Sequence, residues 1–307
     1  MLCSEKGEYK MNKLKQDTGY QIGANIFLSL LAAVMILPFV LLFMSSITEE
    51  NALIRDGYSF FPKQYSLDAY RYIFNNGDKI FRAYGITVFV TVVGTAANLA
   101  LSSLLAFPLS IKSLPGRRFF TFVVFFTMLF SGGLVPTYVM YTGTFHIKNT
   151  IFALIVPNLM MSAVNVLLIR TYFANSVPSE LFGAAEIDGA SQFSVFWRIA
   201  LPLSKPILVT TGLFAGLGYW NDWTNGLYYI SNPQMWSIQS LLNKMIGDIQ
   251  YLQSGNTTSA AAAAMGPLPS TGVRMAIAFV AMLPVLLLYP FLQKYFAKGI
   301  ALGAVKG

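Results

Sequence analysis

Charge is what this chain has least of. Asp, Glu, Lys and Arg together make up 11% of its 307 residues, where a water-soluble domain carries about a quarter. Cysteine is nearly absent too. Cys3 stands alone, which excludes a disulfide framework and a cysteine metal site. No apolar run precedes Cys3, so the context of a lipid-modified cysteine is missing as well. His146 is the single histidine. One histidine cannot make a metal site of the usual type, and without a second base no nucleophilic triad can be drawn. There is no H-E-x-x-H and no Gly-Lys dipeptide, hence no G-x-x-x-x-G-K-[ST] loop to cradle nucleotide phosphates. If this chain works with ATP, a different chain must bind it. Acids are scarcer than bases, 13 against 21. The bases sit in short connectors between apolar runs, which reads as topology signalling and not as a nucleic-acid surface.

What remains is apolar. The chain is 55% hydrophobic with a mean hydropathy of +0.57, the composition of an all-α polytopic membrane protein. A bilayer core of about 30 Å takes roughly 20 helical residues to cross. Six runs are long enough: 22–47, 83–111, 119–141, 150–173, 203–228 and 272–296. The first is too long for a signal peptide and lacks a small-residue cleavage site, so it is expected to stay as an anchor. The run at 119–141 is rich in Phe, and Gly132-Gly133 with Pro136 should weaken its outer end. Between the runs lie a polar tail at 1–21, a mixed loop at 48–82 with a short helix near Leu67–Asn75, the turn Lys112–Arg118, an outer loop to about Thr271 and a tail at 297–307. Ala260–Ala264 in that outer loop reads as a tight helical turn, and the glycosylation pattern at Asn256–Thr258 is too common to weigh.

Six crossings put both termini, the Lys112–Arg118 turn and the segment 174–202 on one side. That side holds 13 Lys and Arg with 6 Asp and Glu; the other holds 8 and 7. The bias has the sign of a cytoplasmic N-terminus.

Segment 174–202 is the one long amphipathic stretch after Tyr20. Pro178 and Glu180 suit a first helical turn. Leu181, Ala184, Ala185 and Asp188 then share a face at helical spacing. Gly189 is the expected stop. A second short helix is expected over about 191–199, with Pro202 resetting the backbone before the next span. Ala184, Ala185 and Gly189 have so little side chain that another protein could bring its backbone close. An ordinary interfacial helix is the plainer reading.

Polar residues inside the spans are costly and therefore informative. Trp220-Asn221-Asp222-Trp223, toward the outer end of the fifth run, is either an aromatic and polar lining of a passage, with rings stacking on sugar faces, or an interfacial aromatic belt. Asn98, Asn158, Asn165 and Arg170 either bond neighbouring helices or face a solute, and Asn165 is the one carried forward as a passage residue.

The segment also resembles the cytoplasmic loop of binding-protein-dependent ABC importers: Glu-Ala-Ala, three free residues, Gly, nine free residues, Ile-x-Leu-Pro. Here Gly183-Ala184-Ala185 precedes Gly189, and Ile199-Ala200-Leu201-Pro202 follows at that spacing. Asp188 fits as well. Gly183 departs, standing where the family has its glutamate, and this places one ion pair to the ATPase in doubt. Leu129–Tyr138, Gly218–Trp223 and the ending after Gln293 are similar to permeases that import oligosaccharides from complex polysaccharides. The resemblance implies a type I permease whose loop between helices 4 and 5 docks on an ATPase through Gly183, Ala184, Ala185, Asp188, Gly189, Ile199, Leu201 and Pro202. It implies a homologous second permease, an ATPase dimer using ATP-Mg, an extracytoplasmic solute-binding protein and an oligosaccharide substrate in a bacterial cytoplasmic membrane. This chain itself would bind no cofactor. Against it stand a gradient-driven transporter or channel, in which the loop would be idle, an intramembrane enzyme, for which no acid pair or nucleophile–base pair is present, and an importer of another solute.

Overall fold

The computed structural model describes residues 18–75, 77–253 and 270–304. Residues 1–17, Asn256–Thr258, Ala260–Ala264 and Lys306 lie outside them. Among the described residues helix is the only extended regular structure, with one isolated bridge between Thr48 and Tyr65. The chain divides into two compact units, Met1–Arg71 with Ser270–Phe279 and Tyr72–Pro269 with Val280–Gly307.

In the first unit, α1 spans Thr18–Ser46. Its apolar side chains from Ile26 to Phe39 are exposed along most of the helix, as lipid-facing surface is. Helix α2, Glu50–Asp56, starts where the Glu49 carboxylate accepts from the Ala52 N–H at 2.8 Å. The next residue, Glu50, reaches across the sequence. Its two oxygens accept from Thr271 N (2.8 Å) and Gly272 N (2.9 Å), capping the last long helix with the charge its dipole favours. Ser46 Oγ and Tyr70 Oη share a hydrogen bond of 2.7 Å, and the rings of Phe43 and Phe279 lie 4.9 Å apart.

Helix α3 is Asp68–Asn75, close to the short helix expected there. The second unit is built on α4, Gly77–Ser110. Its buried stripe runs Ala83, Thr87, Val90, Gly94, Asn98, Ser102, at the three- and four-residue spacing of one helix face. These are small or polar residues, the kind that let membrane helices approach. A Cβ on Gly94 would run into the Tyr219 ring. Around α4 lie α5 (Arg117–Leu129), α6 (Leu134–Thr144, ending in a π turn), α7 (Phe152–Ile155), α8 (Ala163–Ser176), α9 (Ser179–Ile187), α10 (Gln192–Leu203, with a π turn at Phe196–Ala200), α11 (Lys205–Trp220), α12 (Thr224–Tyr229) and α13 (Ile238–Gln253). The last helix, α14, is Thr271–Ala304.

Tyr20–Ser46 and α4 are each long and apolar enough to cross a membrane. The pairs α5 with α6 and α10 with α11 pass that test only jointly, bent by 109° and 82°. The expected break at Gly132-Gly133 is present, and α6 starts after it with the Gly133 carbonyl accepting from both Thr137 N (3.4 Å) and Thr137 Oγ1 (2.6 Å).

Five expected boundaries are corrected. Helix α4 begins at Gly77, not 83, because a helix continues past the lipid edge where hydropathy falls. The run 150–173 is not one helix: it stops at Ile155 and resumes at Ala163. The run 203–228 is helical only to Trp220 before the chain turns into α12. Pro202 lies inside α10, and the bend falls at Ser204. The tail expected at 297–307 continues α14 as far as Ala304.

Candidate functional site

The loop between α8 and α11 is a pair of helices with one face sunk into the protein and the other bare. Helix α9 ends as its sequence demands. Gly189 takes φ 75°, and Ala190 N donates back to Ala185 O at 2.9 Å, closing the last turn. Ser191 then starts α10 by accepting from Ser194 N at 3.3 Å.

The sunken face is aromatic. Phe107, near the end of α4, packs against Phe173 of α8 (5.9 Å), Phe182 of α9 (6.1 Å) and Phe196 of α10 (5.3 Å), measured between ring centroids. Ala185, Val195, Phe196 and Ala200 are buried in the same cluster as Leu109, Val166, Ile169 and Ile207, with Ile199 and Leu201 packed on it. The helix pair is thus fastened to three membrane-helix ends at once.

The bare face carries Leu181, Ala184, Ile187, Asp188 and Gly189 from the first helix and Phe193 and Trp197 from the second. Ile187 is 88% exposed, Phe193 64% and Trp197 55%. The Phe193 and Trp197 rings touch, with centroids 6.1 Å apart, and exposed apolar side chains grouped in this way mark a contact with another molecule. A Cβ at Gly183 or Gly189 would meet nothing within 4 Å.

The predicted coupling residues therefore separate. Ala184, Asp188, Gly189 and Pro202 are on the outside; Gly183 is half-buried beside a cavity of about 600 Å³ that Lys112 and Glu180 also line. Ala185 does not share the outer face: at 8% exposure it belongs to the underside. Ile199 and Leu201 likewise hold the loop to its base. Ile187, Phe193 and Trp197 lie on the bare face and were not among the predicted residues. The available signal was an excess of apolar residues in 191–201, too many for a helix with a single buried face.

The predicted passage residues also separate, and most serve the scaffold. Trp220 is buried and donates from Nε1 to Ala281 O at 3.1 Å. Asn221 donates to Leu217 O at 3.0 Å, and Asp222 Oδ1 accepts from Thr224 N (3.0 Å) and Asn225 N (3.1 Å). Together they end α11 and start α12, which is why the run stops early. Trp223 is exposed, and with Trp236, Asn243 and Lys244 it lines a cavity of about 180 Å³.

Asn165 is buried, and it donates to Asn98 Oδ1 at 3.1 Å. Asn98 in turn donates to Leu159 O at 2.8 Å. Leu159 lies in the break between α7 and α8, where Asn158 has φ 61°. Two more carbonyls there are held the same way: Ile155 O accepts from Tyr219 Oη (2.8 Å) and Pro157 O from Asn225 Nδ2 (3.0 Å). A helix broken at membrane depth leaves carbonyls that lipid cannot satisfy. Side chains from α4, α11 and α12 satisfy these.

Bent and broken helices packed on a central span, with an exposed apolar face on the α9–α10 pair, are the features to set beside known proteins. Residues 98–302 match the family described as binding-protein-dependent transport system inner membrane component, and the chain belongs to that family. It is 37% identical over 299 residues to Protein LplC of Bacillus subtilis (strain 168), covering 97% of this chain and 99% of that one. It is 38% identical over 288 residues to the polygalacturonan/rhamnogalacturonan transport system permease protein YtcP of the same organism, covering 92% and 96%. Among solved structures, a bacterial ABC transporter involved in the import of the acidic polysaccharide alginate superimposes with a TM-score of 0.77 at 28% identity, covering 92% of this chain and 98% of that one. The chain is a permease subunit of an ABC importer, resident in the cytoplasmic membrane and not an enzyme; such a permease works with an ATPase, a solute-binding protein and a second permease.

Proposed function

We propose that this permease crosses the membrane six times with both termini inside and carries an oligosaccharide released from a complex polysaccharide. Its relatives support the substrate class, since YtcP is named for polygalacturonan and rhamnogalacturonan and the structural neighbour imports alginate. The observation that carries the mechanism is the two-faced helix pair α9–α10. Its exposed apolar face, centred on Ile187, Phe193 and Trp197, takes the push of an ATPase dimer that consumes ATP-Mg. Its aromatic underside passes that push to α4, α8 and α11 through Phe107, Phe173 and Phe196. Packed cores move as bodies and do not deform continuously, so closure of the ATPase rocks these helices between inward-open and outward-open states. The resemblance implies a glutamate where this chain has Gly183, and the apolar face supplies the contact in its stead. Trp223 and Trp236, beside Asn243 and Lys244, offer the rings and polar groups on which a sugar leaving the binding protein would first stack.

The test is the assembled transporter. Co-purification of the ATPase and stimulation of ATP hydrolysis by loaded binding protein should both fail in Ile187→Asp and survive in a control change on α5. Normal coupling in Ile187→Asp would overturn the docking role. Offering binding protein loaded with galacturonate oligomers or with neutral oligosaccharides then separates substrate classes, and stimulation by a non-sugar solute alone would overturn the carbohydrate reading.

A further inference from the structure

A second site lies away from the coupling surface, where the 112–118 turn meets the base of α5 and α8. Arg117, Arg118 and Arg170 surround a cavity of about 470 Å³ completed by Thr121, Phe122 and Phe125. Arg117 Nε and Arg170 Nε both donate to Leu109 O, at 2.9 and 3.1 Å, in the last turn of α4. This fixes the two guanidiniums side by side. Among the described residues their terminal nitrogens donate to nothing, Arg118 makes no hydrogen bond, and no carboxylate pairs with any of the three. The Thr121 hydroxyl, in the same cavity, is buried without a partner. Arg117 and Arg170 are half-buried beside an apolar wall without a counter-charge, which is costly at a membrane edge, and an anion removes that cost.

The wall says which anion. Helix α5 has no buried residue, and Phe122 and Phe125, which line the cavity, are exposed. A guanidinium fork matches the two free oxygens of a phosphodiester, and basic pockets between membrane helices on the cytoplasmic side suit anionic headgroups. We propose that this cavity binds the phosphate headgroup of an anionic phospholipid of the cytoplasmic leaflet, with an acyl chain lying along Phe122 and Phe125. Arg117 and Arg170 hold the phosphate against α4 and α8, and Arg118 closes over it from the first turn of α5. The lipid would then tie α5 to the end of α4, one of the helix ends that receives the coupling loop. The inference rests on the cytoplasmic placement of the 112–118 turn, not on ATPase docking.

Native mass spectrometry of the detergent-purified transporter tests it, with phosphatidylglycerol and phosphatidylcholine as probes. The wild type should retain phosphatidylglycerol in preference to phosphatidylcholine. Arg118→Gln should lower that retention about fivefold, Arg118→Lys should restore most of it, and Lys112→Gln, outside the cavity, should leave it unchanged. Equal retention of the two lipids, or equal loss in Lys112→Gln, would overturn the site as a generic basic surface. Inorganic phosphate should not compete at millimolar concentration; if it displaces the lipid or stabilises the complex as well, the site is one for a soluble phosphate. A photo-crosslinker at position 122 should capture lipid, and capture of the second permease would overturn the proposal. ATPase co-purification is read on the same samples, so failure of the docking mechanism and failure of the lipid site are separable.

Discussion

Gly189 has a left-handed backbone, φ 75°, and open space where a Cβ would stand. The two facts constrain substitution differently. Asn tolerates that region of φ/ψ, whereas most other side chains pay about 1–2 kcal/mol. Gly189→Asn should therefore keep ATPase co-purification, and Gly189→Arg should abolish it by thrusting bulk and charge into the docking face. If Asn and Arg fail alike, any side chain at 189 blocks the contact; if Arg couples normally, the face is not used. Gly183→Glu restores the family residue into open space and should leave assembly intact, read by the same co-purification. Ile187→Asp removes an anchor that contributes nothing inside the free chain, so folding should be unchanged. ATPase binding should weaken by at least about 30-fold, the scale of a hot-spot loss near 2 kcal/mol. Residue identities in 183–202 were legible in the sequence as a spaced pattern. Which of them face outward was not, because Ala185 and Ala184 look alike until the packing of Phe107 decides between them.

Among the elements, the broken run between α7 and α8 is the least regular and the most heavily supported. Its carbonyls at 155, 157 and 159 are held by Tyr219, Asn225 and Asn98. Removing one donor leaves a buried carbonyl unpaired, at a cost of about 1–3 kcal/mol. Asn98→Leu should lower the thermal unfolding midpoint of the detergent-purified protein more than Asn221→Leu, whose bond is exposed. Equal effects would show that the break is not held by these bonds. Hydropathy read 150–173 as continuous because Val156-Pro157 and Leu159–Met161 are as apolar as a helix interior. It recorded the asparagines as isolated costs because their partners lie 61 and 67 residues away. Helix α2 yields a pH prediction. The Ala52 N–H, then that of Asn51, holds the Glu49 carboxyl below the usual carboxylate range. A lowered value means the cap stabilises α2 above the ordinary carboxylate pKa and loses that contribution as pH falls through the lowered one. Hydrogen exchange at the Ala52 amide should accelerate on acidification relative to its intrinsic rate, and Glu49→Gln should flatten the dependence.

Within the second unit a continuous set of contacts links the α9–α10 loop to the broken run. Phe107 joins the loop to α4, and Gly94 lets α4 approach α11 closely enough for Tyr219 to reach the broken run. Phe107→Ala should cost about 3–5 kcal/mol of packing and loosen the loop without altering its exposed face. The expected signature is an ATPase that still co-purifies but whose hydrolysis no longer responds to loaded binding protein. Loss of the ATPase itself would place the defect in docking instead.

Composition and spacing alone determined that this is a helical membrane protein with an amphipathic segment at 183–202 between two apolar runs. These are local or summed properties: apolar length, charge count, a motif at fixed intervals. The tertiary structure decided where helices bend, which half of the amphipathic pair is bare, and that Trp220, Asp222 and Asn165 hold the scaffold together. Those outcomes depend on which carbonyl a distant donor reaches and which ring fills the space beneath a helix. A linear pattern carries no record of either.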